Sequence, residues 1–481
     1  MSYQHENLMS ERAKARVTRH FWSSAKLPEG EEPHPAPISL VGGMPNHDFF
    51  PVKSIRIGIA EKPFEDGYHE ETAVAHEPQP DSSFLVSQVA SDPSEIDLKT
   101  GLQYGFTNGT KCLVDFTRDF VEKVWRPGYD EWSTMLTCGG SNGIDKVFDC
   151  FLSKGDSMLL EEFTFIPILN SLNNLGVHTV PVKLDFGPDK TFDFSANLKE
   201  VLENWDTLHP GKKKPKLLYT IPTGQNPLGV AQTTEHKKKI LQLAEEHDFV
   251  ILEDEPYAYL NFQKVSETPR FDLTPEEFVD SLHGSYINLD TTGRVIRTET
   301  FSKVFAPGLR LGFLAGHKRV IQSCTQYSDL SSRAPSGISQ ILVNDTIRHM
   351  GGLDGWLKWI IKVRNEYLVR KNAFVKALLD TEAAKKGYLK VMDPECGMFV
   401  SSIIDFGKEN LEKGTELLKA RCAVNGVGVV YGGAMAVNYE FSKDRTNFVR
   451  MAICYTGSTD LLVEAAARLS KSVLEVAAQL E

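Results

Sequence analysis

Apolar positions along this chain follow two alternating rhythms. Between about Thr100 and Glu299, short apolar runs bounded by glycine, proline and acids alternate with stretches whose apolar residues recur at helical spacing. Cys112 to Trp125 brings Leu113, Phe116, Phe120, Val121 and Val124 onto one face and predicts an amphipathic helix. The runs Thr134–Thr137, Ser157–Leu160, His178–Val182, Lys216–Tyr219, Val250–Glu253 and Arg294–Glu299 predict strands, with helices over about Ile144–Leu152 and Thr234–Glu246 between them. Strands alternating with helices of this length imply βαβ units, hence a mostly parallel sheet with helices on both faces.

Outside that stretch the rhythm changes. Residues before Ile38 form an arm: Ser10–Arg16 starts a helix, but Leu27–Pro37 is proline- and acid-rich and cannot continue it. Ile38–Val41 predicts a short strand ending at Gly42-Gly43. Glu61 to Asp97 is acidic and turn-rich and reads as a surface excursion, and Phe271–Asp290 reads as an insertion. Beyond Ala334 comes a long helical stretch over Gly337–Leu379, broken near Gly351-Gly352. A strand start at Gly397–Val400, a helix near Leu411–Cys422, a strand over Asn447–Ala452 and a closing helix over Thr459–Leu480 follow. The expected fold is α/β: a large domain with a mostly parallel sheet flanked by helices, and a smaller α+β C-terminal domain. The expected boundaries are 1–50 for the arm and a segment contributing to the small domain, 51–345 for the large domain and 346–481 for the small one.

Composition narrows the function classes. A chain of 481 residues is too long for one core. Its 41% apolar and 24% charged residues are those of a soluble globular protein. The net charge of −11 argues against nucleic acid or an anionic membrane as partner. The seven cysteines are scattered, without C-x-x-C pairs or metal-ligand spacing, which suggests reduced thiols and no metal. With no membrane-length apolar run and no apolar signal segment at Met1–Glu6, the expectation is a cytoplasmic protein.

The chemistry centres on Glu299–Gly312, where Lys303 follows Thr300 and Ser302 and Arg310 comes after Pro307-Gly308. A lysine in a tight loop between two buried strands forms an imine with a carbonyl once desolvation or a neighbouring cation lowers its pKa. An arginine nearby grips a phosphate through a planar pair of donors. Together they suggest an aldehyde cofactor carrying a phosphate, pyridoxal phosphate. Alone, the stretch suits a solvated basic loop equally well.

Gly139-Gly140-Ser141-Asn142-Gly143 lies between a strand and a helix, where free N–H groups meet an anion; taken alone, an ordinary glycine-rich turn capped by Ser141 is the better reading. In Tyr219–Gly229, Pro227 biases Asn226 toward an extended backbone that suits holding a ring hydroxyl, or simply a proline-rich turn. The strand Val250–Glu253 runs into Asp254, Glu255 and Tyr257 at the carboxyl edge of the sheet. There Asp254 can hold a protonated ring nitrogen and make the ring an electron sink, with Tyr257 donating to a ring oxygen; a solvated acidic loop is the alternative. What joins these stretches is their order, each on a strand-end loop of one sheet and each with a distinct task on one cofactor.

On these motifs the sequence resembles the fold-type I pyridoxal-phosphate enzymes of the class I/II aminotransferases. It is more closely similar to the fungal aromatic-amino-acid, 2-aminoadipate and kynurenine aminotransferase group. Ile38–Asn46 is similar to that group's N-terminal signature, which implies that Gly43 faces the substrate. Leu102–Gly105 resembles the loop whose tyrosine, here Tyr104, reaches the cofactor phosphate of the neighbouring subunit, implying a homodimer. Thr137–Gly143 resembles the phosphate turn, with Gly140, Ser141 and Asn142 as ligands, and Phe165 matches the aromatic stacked on the ring. Asn226 and Tyr257 match the partners of the ring hydroxyl, Asp254 that of the ring nitrogen, and Thr300, Ser302 and Arg310 the phosphate ligands. Lys303 matches the imine lysine, and Arg450 the arginine that holds the substrate α-carboxylate together with Asn226. Gly140 and Ser141 stand where relatives often carry serine then glutamine, and Phe165 where they carry tyrosine.

The resemblance implies a ping-pong transaminase passing the amino group of phenylalanine, tyrosine or tryptophan to 2-oxoglutarate through a Lys303 aldimine. Lys303, Asp254 and Tyr257 are then its catalytic residues. 2-Aminoadipate or kynurenine is the alternative substrate, with Arg12, Arg16 or Arg19 of the arm as candidates to meet a distal carboxylate. The rivals are a pyridoxal-phosphate lyase and a cofactor-sensing regulator; the polar residues before Ile38 are too few for the winged DNA-binding domain of the latter.

Overall fold

The computed structural model describes residues 3–17, 29–32, 34–35, 44–60, 80–188 and 190–481. Two short strands, β1 (Ile55–Ile59) and β2 (Ser82–Val86), pair antiparallel ahead of the main sheet. That sheet has seven strands: β3 (Trp132–Thr137), β4 (Ser157–Glu161), β5 (His178–Val182), β6 (Pro215–Thr220), β7 (Val250–Asp254), β8 (Val295–Thr300) and β9 (Gly312–His317). Their order is β3-β9-β8-β7-β6-β4-β5. The run from β5 to β8 is parallel, and β9 alone is reversed between β8 and β3. Every residue of β4 and of β7 is buried, as continuous apolar strands must be when helices cover both faces.

Side chains alternate between those faces. Leu160, Tyr219, Leu252, Ile296 and Leu314 pack toward helices Gly140–Phe151 and Lys318–Leu330. Leu159, Leu218, Ile251, Val295 and Phe313 pack toward helices Lys111–Val124, Ser195–Glu203 and Thr234–Glu246. The amphipathic helix expected from Cys112 is therefore present, and its five apolar positions are buried.

A smaller antiparallel sheet follows: β10 (Leu389–Met392), β11 (Phe399–Ile404), β12 (Val430–Tyr431) and β13 (Phe448–Ala452), in the order β10-β11-β13-β12. Helices Leu411–Asn425 and Thr459–Leu480 share its core. The long helix Gly352–Asp380 joins the two sheets. Its Trp356, Leu357, Ile360 and Ile361 belong to one core; Leu368, Phe374, Val375 and Leu378 belong to the other. Gly351, at φ +103, separates it from helix Gly337–His349, where the sequence predicts the break. Trp359 Nε1 donates to the carbonyl of Val304 (2.7 Å), and Arg370 Nη2 to that of Thr456 (2.5 Å).

Three sequence expectations change. The stretch 61–97 is not wholly a surface excursion: β2 lies in it, and Phe84, Val86, Ile96 and Leu98 bury with Ile57, Ile59 and Ile341. The 271–290 segment carries helices Pro275–Asp280 and Tyr286–Leu289, and its Phe278, Tyr286 and Ile287 are core residues. Two of the arm's three candidate arginines are engaged within the chain. Arg12 Nε and Arg16 Nη2 both donate to Asp149, at 2.7 and 2.5 Å, clamping the arm to helix Gly140–Phe151. Arg19, Gly43 and the expected strand Ile38–Val41 lie outside the described residues. Among the described residues no helix is long and apolar enough to cross a membrane.

Candidate active site

The carboxyl ends of β6, β7 and β8 and the start of helix Gly140–Phe151 meet at one edge of the large sheet. Asp254 closes β7 and is almost fully buried. Burial pushes its pKa up to about 6, against a hydrogen bond from Tyr219 and the charges of Lys303 and Arg297. Tyr219 Oη donates to Asp254 Oδ2 over 2.5 Å. Lys303, half-buried, carries its Nζ 6.0 Å from the centre of the Tyr257 ring. Asp254, Tyr257 and Lys303 therefore face one space.

Beside them lies a cationic corner. Antiparallel pairing sets Thr300 opposite Gly312, and the turn between them holds Arg310 in the left-handed region, at φ 49. Arg310 Nη1 lies 3.5 Å from Ser302 Oγ, which accepts from Thr300 Oγ1 at 2.8 Å. The guanidinium lies so close to Gly139 that a Cβ there would sit 2.5 Å from Nη2. Gly139, at φ +85, precedes helix Gly140–Phe151, whose first turn receives no side-chain cap. The expected Ser141 cap is thus absent. Asn142 Oδ1 accepts from the N–H of Cys138 (3.0 Å), so its amide braces the turn and its backbone N–H remains for a ligand. The positive end of a helix dipole beside a guanidinium is a repulsive pairing unless an anion sits between them.

A third group comes from the small sheet. Arg450 on β13 stacks its guanidinium 4.3 Å from the centre of the Phe399 ring and donates Nη1 to Asn226 Oδ1 at 2.8 Å. Among the described residues its buried Nε has no partner. Burial pulls its pKa down, against the charges of Tyr257 and Cys454. Tyr257 meets Phe399 edge to face at 5.6 Å. The small sheet is pressed close here: Ser401 Oγ donates to the carbonyl of Pro227 (2.8 Å), and a Cβ on Gly224 would lie 2.6 Å from Gly397 Cα.

Most of the sequence-predicted residues are thus brought together: Gly140, Ser141, Asn142, Thr300, Ser302 and Arg310 in the cationic corner, and Asp254, Tyr257, Lys303, Asn226 and Arg450 beyond it. Phe165 is half-buried against the core beyond the end of β4. Tyr104 is 76% exposed. Three further residues complete the surroundings of the site. In the sequence, Tyr219 is only a strand end. Glu161, at the end of β4, accepts from Thr220 Oγ1 (2.6 Å) and Gln225 Nε2 (2.9 Å), and burial pushes its pKa up to about 7. Arg297 on β8 lies among Glu253, Glu255 and Glu299, with its guanidinium 4.0 Å from the centre of the Trp125 ring. The signal for Glu161 and Arg297 is a charged residue on a buried strand.

A family model described as aminotransferase class I and II matches residues 85–469. The chain belongs to the class I and II aminotransferases. Aromatic amino acid aminotransferase 2 of Saccharomyces cerevisiae is 35% identical over 97% of this chain and 94% of its own. The crystal structure of the aromatic aminotransferase Aro9 from C. albicans superposes with a TM-score of 0.91 at 42% identity, covering 99% of each chain. That of the Pyrococcus horikoshii kynurenine aminotransferase superposes with a TM-score of 0.64 at 28% identity, over 78% of this chain and 83% of the other. This aminotransferase is therefore a fold-type I enzyme with a large mixed sheet and a small antiparallel-sheet domain, and its family implies a pyridoxal-phosphate cofactor.

Proposed function

We propose that this aminotransferase transfers the amino group of aromatic amino acids to 2-oxoglutarate, with pyridoxal phosphate as cofactor. The observation that carries the reading is the convergence of Lys303, Asp254 and Arg450 on the space around Tyr257 and Phe399. The aromatic aminotransferases of S. cerevisiae and C. albicans, similar to it over almost the whole chain, support the substrate class.

The donor set fits the cofactor. A cationic corner with an uncapped helix start suits its phosphate; a buried carboxylate suits its ring nitrogen; a lysine at 6.0 Å from the Tyr257 ring centre suits its aldehyde. When bound, the cofactor supplies a carbonyl carbon and a protonated ring that draws electron density from the substrate. Gly140, Ser141, Asn142, Thr300, Ser302 and Arg310 would hold the phosphate, and Asn226 and Tyr257 the ring hydroxyl. Phe165 would cover the ring face. Asp254 would keep a proton at the ring nitrogen, and Lys303 Nζ would take the proton from the substrate α-carbon and deliver it to the cofactor's former carbonyl carbon. Arg450, whose Nε is a spare buried donor, grips the α-carboxylate together with Asn226 and orients the Cα–H bond. The amino acid leaves as its 2-oxo acid before 2-oxoglutarate enters the same grip, which makes the kinetics ping-pong.

Tyr104 projects from this subunit into solvent, which suits a homodimer in which it reaches the partner's phosphate corner. The division into 1–50, 51–345 and 346–481 and a cytoplasmic location complete the reading. The test is a steady-state comparison of phenylalanine, tyrosine, tryptophan, 2-aminoadipate and kynurenine against 2-oxoglutarate. The highest kcat/KM is expected for an aromatic amino acid, and no 2-oxo acid from any of them would overturn the proposal. Lys303→Ala should lose the half-reaction while still binding cofactor.

A further inference from the structure

The residue beneath Asp254 carries a role of its own. Tyr219 lies on β6 opposite Leu252 of β7, and alternation puts Tyr219, Leu252 and Asp254 on one face of the sheet. The tyrosine ring is long enough to span the diagonal to Asp254, one pleat further on. Its hydroxyl is fully buried and donates to Asp254 Oδ2 at 2.5 Å. A phenol that donates to a buried carboxylate both fixes its rotamer and favours its charged form.

We propose that Tyr219 is a positioning residue for the reaction: its hydroxyl keeps the Asp254 carboxylate aimed and ionised, so that Asp254 can hold the proton on the cofactor ring nitrogen. The inference rests on the reading above that Asp254 faces that nitrogen. Its physical basis lies in the balance of forces on Asp254. Burial is the largest influence and disfavours the charge, and the Tyr219 hydrogen bond is the largest influence in the opposite direction, ahead of Lys303 and Arg297. The charge on Asp254 in turn helps to hold the pKa of nearby Glu161 up. Without the phenol, two cations alone remain to hold Asp254 charged in an apolar setting.

Two titrations decide the matter. In the full chain without cofactor, aspartate labelled with 13C at the carboxyl reports the Asp254 midpoint, its signal identified by loss in Asp254→Asn. The midpoint is expected to rise by about one to two pH units in Tyr219→Phe, a ten- to hundredfold change in the proton equilibrium. In the reconstituted enzyme, pyridoxal phosphate labelled with 15N at the ring should lose its ring proton at lower pH in Tyr219→Phe than in the unaltered protein. Incorporation of 3-fluorotyrosine at position 219, a more acidic donor, should move the Asp254 midpoint the opposite way. It decides the question where Tyr219→Phe fails to fold. An Asp254 midpoint unmoved by either change overturns the role of Tyr219. If that midpoint moves but the ring nitrogen titrates identically in Asp254→Asn, the placement of Asp254 at the nitrogen fails instead, and the proposal with it. A purely structural role for Tyr219 would lower thermal stability and leave both titrations in place.

Discussion

Arg450 Nη1 donates to Asn226 Oδ1 across 2.8 Å, joining a strand of the small sheet to the loop after β6 of the large one. The contact is charge-assisted, and among the described residues the buried Nε of the same guanidinium has no partner. Arg450→Lys keeps the charge but loses the planar pair of donors. The expected outcome is a rise in KM for both the amino acid and 2-oxoglutarate of about 10- to 100-fold, from the loss of charged hydrogen bonds. Cofactor affinity, followed by spectral titration, should stay within a fewfold of the unaltered protein. Equal losses in both measurements would argue against a carboxylate grip at Arg450.

Gly139 is constrained twice, by its φ of +85 and by Arg310 Nη2 at 2.5 Å from any Cβ built there. Gly139→Ala should destabilise the protein by about 1–3 kcal/mol, since an alanine is strained in that conformation. By displacing the guanidinium it should also weaken cofactor binding at least about tenfold. Thermal melting without cofactor and a binding titration separate the two effects.

Glu161 gives a pH-dependent signature. Its pKa stands at 4.5 ordinarily and about 7 when buried in the fold, with burial as the main cause. The folded protein therefore holds this proton more tightly than the unfolded chain does. The stabilising contribution is complete below about pH 4.5 and is lost as pH rises through about 7. Glu161→Gln removes the titration. Relative to the unaltered protein, the variant should gain on the order of 3 kcal/mol between those limits, whatever its offset from disturbed hydrogen bonds. Denaturant unfolding at pH 4.5, 6 and 7.5 reads that slope, and parallel curves would remove Glu161 as its source.

Arg445 Nη1 reaches the fully buried Glu162 at 2.7 Å and holds the segment before β13 against the end of β4. Arg445→Met leaves that carboxylate without its cation, at an expected cost of about 2–4 kcal/mol. Burial already pushes the Glu162 pKa up, and Arg445 is the leading opposing influence. The deficit should therefore grow as pH rises and shrink in acid, where Glu162 takes up a proton. The double variant Arg445→Met/Glu162→Gln should recover part of the loss, measured in the same unfolding experiment.

Much of the candidate site was legible because its parts are local. Lys303 with Thr300, Ser302 and Arg310, or Gly139 with Asn142, sit within a few residues of one another, so turn chemistry and residue type carry the signal. Strands β4 and β7 are legible because burial on both faces fills them with the apolar runs Met158–Leu160 and Val250–Leu252. What escaped depends on partners distant in sequence. Tyr219 meets Asp254 only because β6 and β7 pair in one register, and Arg297 is acceptable inside β8 only because Glu253, Glu255 and Glu299 surround it. The pairing of Arg12 and Arg16 with Asp149 is invisible in the sequence because that acceptor lies on the buried side of a helix, more than 130 positions away. Strands β1 and β2 are short and expose alternate residues, so their few buried side chains were lost in polar surroundings.

One helix sets the scale on which all of this works. Within Gly352–Asp380, Trp359 is bonded to the carbonyl of Val304, the neighbour of Lys303, and Arg370 to that of Thr456, just past the strand of Arg450. The two anchors stand eleven positions apart on the α-helix (370 − 359), a span of about 16 Å along a rigid axis. The chain thus carries its own calliper: the gap between lysine and arginine is gauged by the pitch of a helix rather than by the slack of loops. Adding one residue between the anchors would turn the jaw bearing Arg450 by about 100° as well as moving it. Substitutions between Trp359 and Arg370 would keep that gauge, whereas an insertion would reset it.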